Sequence, residues 1–266
     1  MSRFNLGITL QTMKDNFKVT LIITLLFMDI ACMYAGFYPA FKDSLEEMVA
    51  SMPKGMEMIR GLEEMTSYPG FLNMELYQIF WVLILGILIG FIAASLISKE
   101  VEAKTIDLLM SNPVSRKQIV FEKYLGIIPL ILIVNFATMA VVYGVTMMIN
   151  EKINFSYLLM THATSVLYFM AIAGVGLLIS VVVDEKMKAS IMISLVVAMF
   201  IFESISLIIP DYEFLGYVSL VHYYNPADIL IKGEIDDVGV IIMLAVTIES
   251  LVLAMLYFEH RDIAIS

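Results

Sequence analysis

The chain has 266 residues, of which 60% are hydrophobic, and its mean hydropathy of +0.88 excludes an ordinary soluble domain and requires an integral membrane protein. A formal net charge of −10, with no basic patch interleaved with aromatics, excludes nucleic acid as a partner. The single cysteine, Cys32, excludes an intrachain disulfide and a cysteine-based metal site.

Taken in order, residues 1–16 carry Phe4, Leu6, Ile8 and Leu10 among polar residues, a pattern compatible with a short amphipathic helix on the membrane surface or with a frayed terminus. The first apolar run, about 17–37, is too long for a cleavable signal peptide and has no small-residue cleavage site after it. It holds Asp29. Residues 38–76 read as a long acidic loop broken by Pro53, Gly55, Pro69 and Gly70. The second span, about 77–97, places Tyr77 and Trp81 near its outer end, where an interfacial aromatic belt is expected.

Spans three, four and five follow at about 127–149, 162–183 and 189–209. Span four contains Gly174 and Gly176, small residues that allow close helix packing, and span five contains Glu203. Residues 210–237 form a second acidic loop whose apolar piece, 214–221, is too short to span; a re-entrant or interfacial pair of short helices fits, punctuated by Asn225-Pro226 and Gly233. The last span, about 238–258, includes Glu249. The fold class is therefore an all-α integral membrane protein with six transmembrane helices in one domain, residues 1–266.

Six spans put both termini on one side, and charge decides which. With the termini, the loop after span two and the turn after span four inside, the inside holds eleven of the sixteen basic residues. The loops opposite hold about fourteen carboxylates against five bases, so both termini are expected in the cytoplasm.

The stretch 98–126 between spans two and three is the most informative. It carries Lys99, Lys104, Arg116, Lys117 and Lys123. Glu100 to Met110 has no Gly or Pro and reads as a short helix, with Val101, Thr105, Leu108 and Leu109 near one face and Glu100 and Glu102 in its first turn. Ser111-Asn112-Pro113 ends it, and a second helix is expected to start at Ser115, with Gln118 completing a capping box.

The run Glu100, Glu102, Thr105, Leu108-Leu109, Pro113-Val114-Ser115-Arg116 and Lys123 resembles the cytoplasmic signature of the permease subunits of ABC-2 type transporters, although Lys104 stands where that family usually has Gly. The ending Phe258-Glu259-His260-Arg261-Asp262 is similar to the family's tail after its last span. The resemblance implies a cytoplasmic coupling helix between spans two and three and a re-entrant helical segment before span six. It implies an ABC ATPase subunit as partner and a second permease copy or homologue completing a dimer in the lipid of the cell membrane. The ATPase-coupling residues are then Glu100, Glu102, Thr105, Asp107, Leu108, Leu109, Pro113, Ser115, Arg116 and Lys123. Export by ATP-driven alternating access is the implied activity. This chain has no Walker A motif, so it is not itself expected to be an enzyme or to bind a cofactor; ATP and Mg sit on the partner.

Other chemistry is sparse. Asp29, Glu203 and Glu249 lie within apolar spans, where a charge is costly; they line a translocation path or form interhelical hydrogen bonds. His162, His222 and His260 are far apart in sequence and compose no metal motif, and the twenty-one methionines are scattered as packing residues would be. An ion-coupled secondary transporter using the three carboxylates, and a membrane scaffold that transports nothing, are the alternatives.

Overall fold

The computed structural model describes residues 6–51, 66–103 and 114–260. Among these the chain is helical throughout, with no strand. Six helices are long and apolar enough to cross a membrane: α1 (Gly7–Ala50), α2 (Tyr68–Ala94), α4 (Arg116–Met148), α5 (Phe155–Val182), α6 (Glu185–Ile208) and α8 (Asp237–His260). Between them lie the short α3 (Ser98–Glu102) and α7 (Leu220–Tyr223).

Two of these helices depart from the expected boundaries. The N-terminal segment does not lie apart on the membrane surface: from Gly7 it continues straight into the first span and on to Ala50, 44 residues in one helix. At 1.5 Å per residue that is about 66 Å, twice the thickness of the hydrocarbon core. Much of the expected loop after span one is thus helix, because 40–50 contains helix formers and no breaker. The second span begins at Tyr68 instead of about Tyr77, on a Ser67 cap whose Oγ accepts from the Gly70 N–H at 3.2 Å.

That earlier start changes the role of the aromatics. Tyr77 and Trp81 are fully buried rather than belted at the interface. Trp81 makes edge-to-face contacts with Phe27 of α1 (5.8 Å), Phe169 of α5 (5.7 Å) and His162 of α5 (5.0 Å). The Tyr77 hydroxyl joins His162 Nε2 at 2.9 Å. Residues Asn73–Leu85 are wound as a π-helix, and the buried Asn73, Tyr77, Trp81 and Leu85 recur every fourth residue. This period exceeds the 3.6 of an α-helix and keeps all four side chains on the core side.

α5 is the centre of the bundle, packed on α2, α4 and α8. Its small residues permit this, as their spacing predicts. A Cβ on Gly176 would lie 2.7 Å from the Gly90 carbonyl oxygen, and one on Gly174 would lie 3.3 Å from Ser250 Cβ. α1 runs parallel to α4, with Thr9 beside Glu122 at one end and Gly36 beside Val145 towards the other.

At the end of the bundle away from residue 98, Tyr38 donates to the Thr66 carbonyl at 2.6 Å and the Tyr68 and Thr146 hydroxyls join at 2.9 Å. The segment before α8 also closes over that end. It comprises a 3-10 stretch (Pro210–Val218), α7 and a π-turn (Asp228–Lys232) that stops at Gly233 with φ +74°. Asn225 Oδ1 accepts from the Ala227 and Asp228 N–H groups, the turn its position before Pro226 predicts.

Candidate functional site

The C-terminal ends of α2, α5 and α8 meet the N-terminal ends of α1, α4 and α6 around residues 95–103 and 115–124. The described part of the signature read from the sequence, Glu100, Glu102, Val114, Ser115, Arg116 and Lys123, falls here. Ser115 caps α4: its Oγ accepts from the Gln118 N–H at 3.1 Å. The Gln118 side chain, expected to return to the cap, instead donates to Glu122 Oε1 at 2.7 Å.

Each neighbouring helix is tied to this junction through polar groups. The N–H groups of Ile97 and Ser98, at the start of α3, donate to Ser180 Oγ of α5 at 2.8 and 3.0 Å, satisfying donors that a helix start leaves open. Ser98 Oγ donates to Glu185 at the first turn of α6. Glu185 is ion-paired with Lys188, and the Lys188 ammonium also reaches Ser95 Oγ and lies 5.0 Å from the Phe91 ring centre. Lys123 of α4 is ion-paired with Glu100 of α3, and its side chain is 6% exposed. Arg116 donates to the Phe258 carbonyl of α8 at 3.3 Å with its guanidinium over that ring, and Lys117 pairs with Glu259 at 2.7 Å.

Glu122 is the residue that sequence reasoning passed over. It is wholly buried, and among the described residues no lysine or arginine is hydrogen-bonded to it. Its Oε2 accepts from the backbone N–H groups of Ile8 (3.1 Å) and Thr9 (3.3 Å), the first turn of α1, while Thr9 Oγ1 donates to the Glu122 carbonyl at 3.1 Å. The positive end of the α1 dipole and its free N–H groups compensate the carboxylate. A lone carboxylate in the apolar run 119–131 was the available signal, but only the fold shows which helix start it meets.

Among the expected coupling residues, Glu100, Ser115, Arg116 and Lys123 therefore gather at the junction, with Glu100 and Lys123 turned to each other. Glu102 is exposed beside them. Thr105, Asp107, Leu108, Leu109 and Pro113 lie outside the described residues, as do Arg261 and Asp262. Beside Glu102 a cleft of about 260 Å³ is lined by Ser98, Val101 and the α5–α6 turn, Val183 to Lys186.

The three intramembrane carboxylates are not brought together. Asp29 on α1 and Glu249 on α8 are exposed on the outside of the single chain. Glu203, near the far end of α6, is buried, and its Oε2 meets His222 Nδ1 at 3.0 Å and Ser206 Oγ at 3.4 Å. Tyr217 and Tyr223 set their rings edge-on to His222, each at 5.3 Å. Burial raises the Tyr223 phenol above its ordinary pKa, and the Asp236 carboxylate adds to this. Among the described residues no group of three His, Cys, Asp or Glu side chains could hold a metal ion.

Six apolar spans, with α5 at their centre, define a multi-pass membrane protein. The model for the ABC-2 family transporter protein matches residues 13–263, nearly the whole chain, and the chain belongs to that family. No curated protein matches it. The match supports a transporter membrane subunit working in an ABC context with an ATPase partner.

Proposed function

We propose that this chain is the permease subunit of an ABC exporter in the cell membrane, with both termini in the cytoplasm and ATP hydrolysed, with Mg, on a separate subunit. The observation that carries this reading is the junction: residues 95–103 and 115–124 are hydrogen-bonded or ion-paired to α1, α5, α6 and α8 as well as to α2 and α4. A push on the 98–126 corner is transmitted to all six spans at once, as alternating access requires. In this reading Glu102 and the clefted α5–α6 turn face the ATPase, together with Thr105, Asp107, Leu108 and Leu109 on the coupling helix and Pro113 shaping the corner. Glu100, Ser115, Arg116 and Lys123 hold that surface in place. The segment 210–232 dips back into the bilayer before the last span.

A second permease copy or homologue completes the path. Asp29 and Glu249 sit mid-span on the outside of one chain, and a carboxylate facing hydrocarbon there costs about 3 kcal/mol. Contact with a partner protomer or a water-filled path removes that cost. Glu203, latched to His222, lies at the outer mouth of the same path.

The test is co-purification of the full-length tagged chain in mild detergent. Wild type is expected to bring down an ATPase subunit, and Glu102→Lys, a surface reversal that leaves the fold intact, to lose at least about tenfold of it, since close charge pairs across interfaces carry 1.5 kcal/mol or more. Arg116→Glu should lose it too. Absence of any ATPase with wild type would return the secondary-transporter reading, with proton-coupled flux in Asp29→Asn and Glu249→Gln as its assay.

A further inference from the structure

Between α1 and α4, one turn beyond the Glu122 contact, lies a groove of about 280 Å³ whose wall includes Leu10, Phe17, Pro129, Leu130 and Ile133. Its volume is near the lower end of the roughly 300–1,000 Å³ typical of ligand sites. The groove opens because the two helices touch closely below it: a Cβ on Gly126 would fall 2.5 Å from Thr12 Cβ. Two of its few polar wall groups are already engaged, since Asn16 Nδ2 donates to the Thr12 carbonyl and Thr20 Oγ1 to the Asn16 carbonyl, both at 2.9 Å, and most of the wall is apolar. The interior thus suits a hydrocarbon chain, not a polar solute.

The mouth is different. Lys14 borders the groove and Lys18 is one turn further along the same helix face. Both are exposed and neither has an ion-pair partner among the described residues, while the adjacent Asp15 accepts from Gln11 Nε2 at 2.7 Å. Lys14, Asp15, Asn16 and Lys18 mark the polar edge of α1, and the apolar run begins at Val19, so the mouth lies at the level of lipid phosphates.

We propose that this groove binds one anionic phospholipid, an acyl chain lying along Phe17, Leu130 and Ile133 and the phosphate between Lys14 and Lys18. The inference needs only the six spans, and stands apart from the transport reading. The test is native mass spectrometry of the full-length chain extracted from membranes of equimolar phosphatidylglycerol and phosphatidylcholine. Wild type should retain one phosphatidylglycerol per chain under detergent conditions that strip other lipid. A lysine near an anionic surface contributes a factor of about five, so Lys14→Gln/Lys18→Gln should weaken retention by roughly twenty-five-fold with unchanged circular dichroism. Ile133→Trp, which fills the groove from its exposed side, should displace the lipid. Equal retention of phosphatidylcholine by wild type, undiminished phosphatidylglycerol in the double variant, or a wild-type dimer carrying no lipid would each overturn the proposal, the last assigning the groove to a second copy.

Discussion

Glu122→Ala is expected to destabilise the protein by on the order of 3–5 kcal/mol, and to lower its melting temperature in mild detergent by on the order of 10 °C. The buried carboxylate accepts from two backbone N–H groups of α1 and from the Gln118 amide. Alanine leaves the buried Thr9 N–H without an acceptor and the part-buried Ile8 N–H and Gln118 amide with poorer ones, so the loss combines a desolvation penalty with that of charge-assisted bonds. Glu122→Gln keeps one carbonyl oxygen but turns an amide N–H toward another donor, and should fall between alanine and wild type. Because the lost contacts hold the first turn of α1, limited proteolysis near residues 7–10 should accelerate in the same order. A melting temperature unchanged in Glu122→Ala would mean that Glu122 does not anchor α1.

The second large effect is expected at the crossing of α2 and α5. In Gly176→Ala the new Cβ would meet the Gly90 carbonyl oxygen at 2.7 Å, Ala93 Cβ at 2.9 Å and the Ala94 nitrogen at 3.2 Å. Two of these are backbone atoms and none can swing aside, so the helices must separate, at about 3 kcal/mol for one methyl group. Gly176→Leu should prevent folding, read as loss of the monodisperse species in detergent. Gly144 of α4 supplies the control: a Cβ there meets nothing within 4 Å. Gly144→Ala removes a mid-helix glycine from an exposed face and should stabilise by about 0.5–1 kcal/mol. If both alanine variants melt alike, close approach at Gly176 is not what joins the two helices.

These two positions show different degrees of legibility. That span four needed close packing could be read from Gly174 and Gly176, because small residues in an apolar helix have few other uses. Which helix came close could not, since nothing local to residues 173–176 names Gly90 or Ser250. Trp81 shows a fuller reversal. Its ring is amphipathic, and at an expected helix end it belongs at the interface; a helix beginning at Tyr68 carries it into the core against His162. The long extent of α1 was hidden for a similar reason. Lys42, Glu46 and Glu47 after Phe41 have the polarity of a loop and the propensity of a helix, and polarity was the more conspicuous signal.

At the junction, the Ser115 cap is a local interaction between residues three apart, so a short window of sequence contains it. The pairing of Lys123 with Glu100 and of Ser98 with Glu185 joins residues 23 and 87 positions apart. Such partners are chosen by helix packing, and each residue alone reads equally well as a solvated polar or charged side chain.

The sequence therefore carried what depends on composition and on near neighbours. It specified membrane residence, six spans, the punctuation at Ser115, Asn225 and Gly233, and the family signature around residue 100. Bilayer thickness sets span length, and backbone hydrogen bonding sets caps and turns; both act within a window of about twenty residues. Helix packing settled the rest: that Glu122 holds the start of α1, that Trp81 is core, that Asp29 and Glu249 face outward while Glu203 turns to His222, and that α1 and α4 leave a groove beside Lys14. These depend on which apolar faces meet, and in a chain that is apolar on nearly every side the sequence marks those faces only weakly.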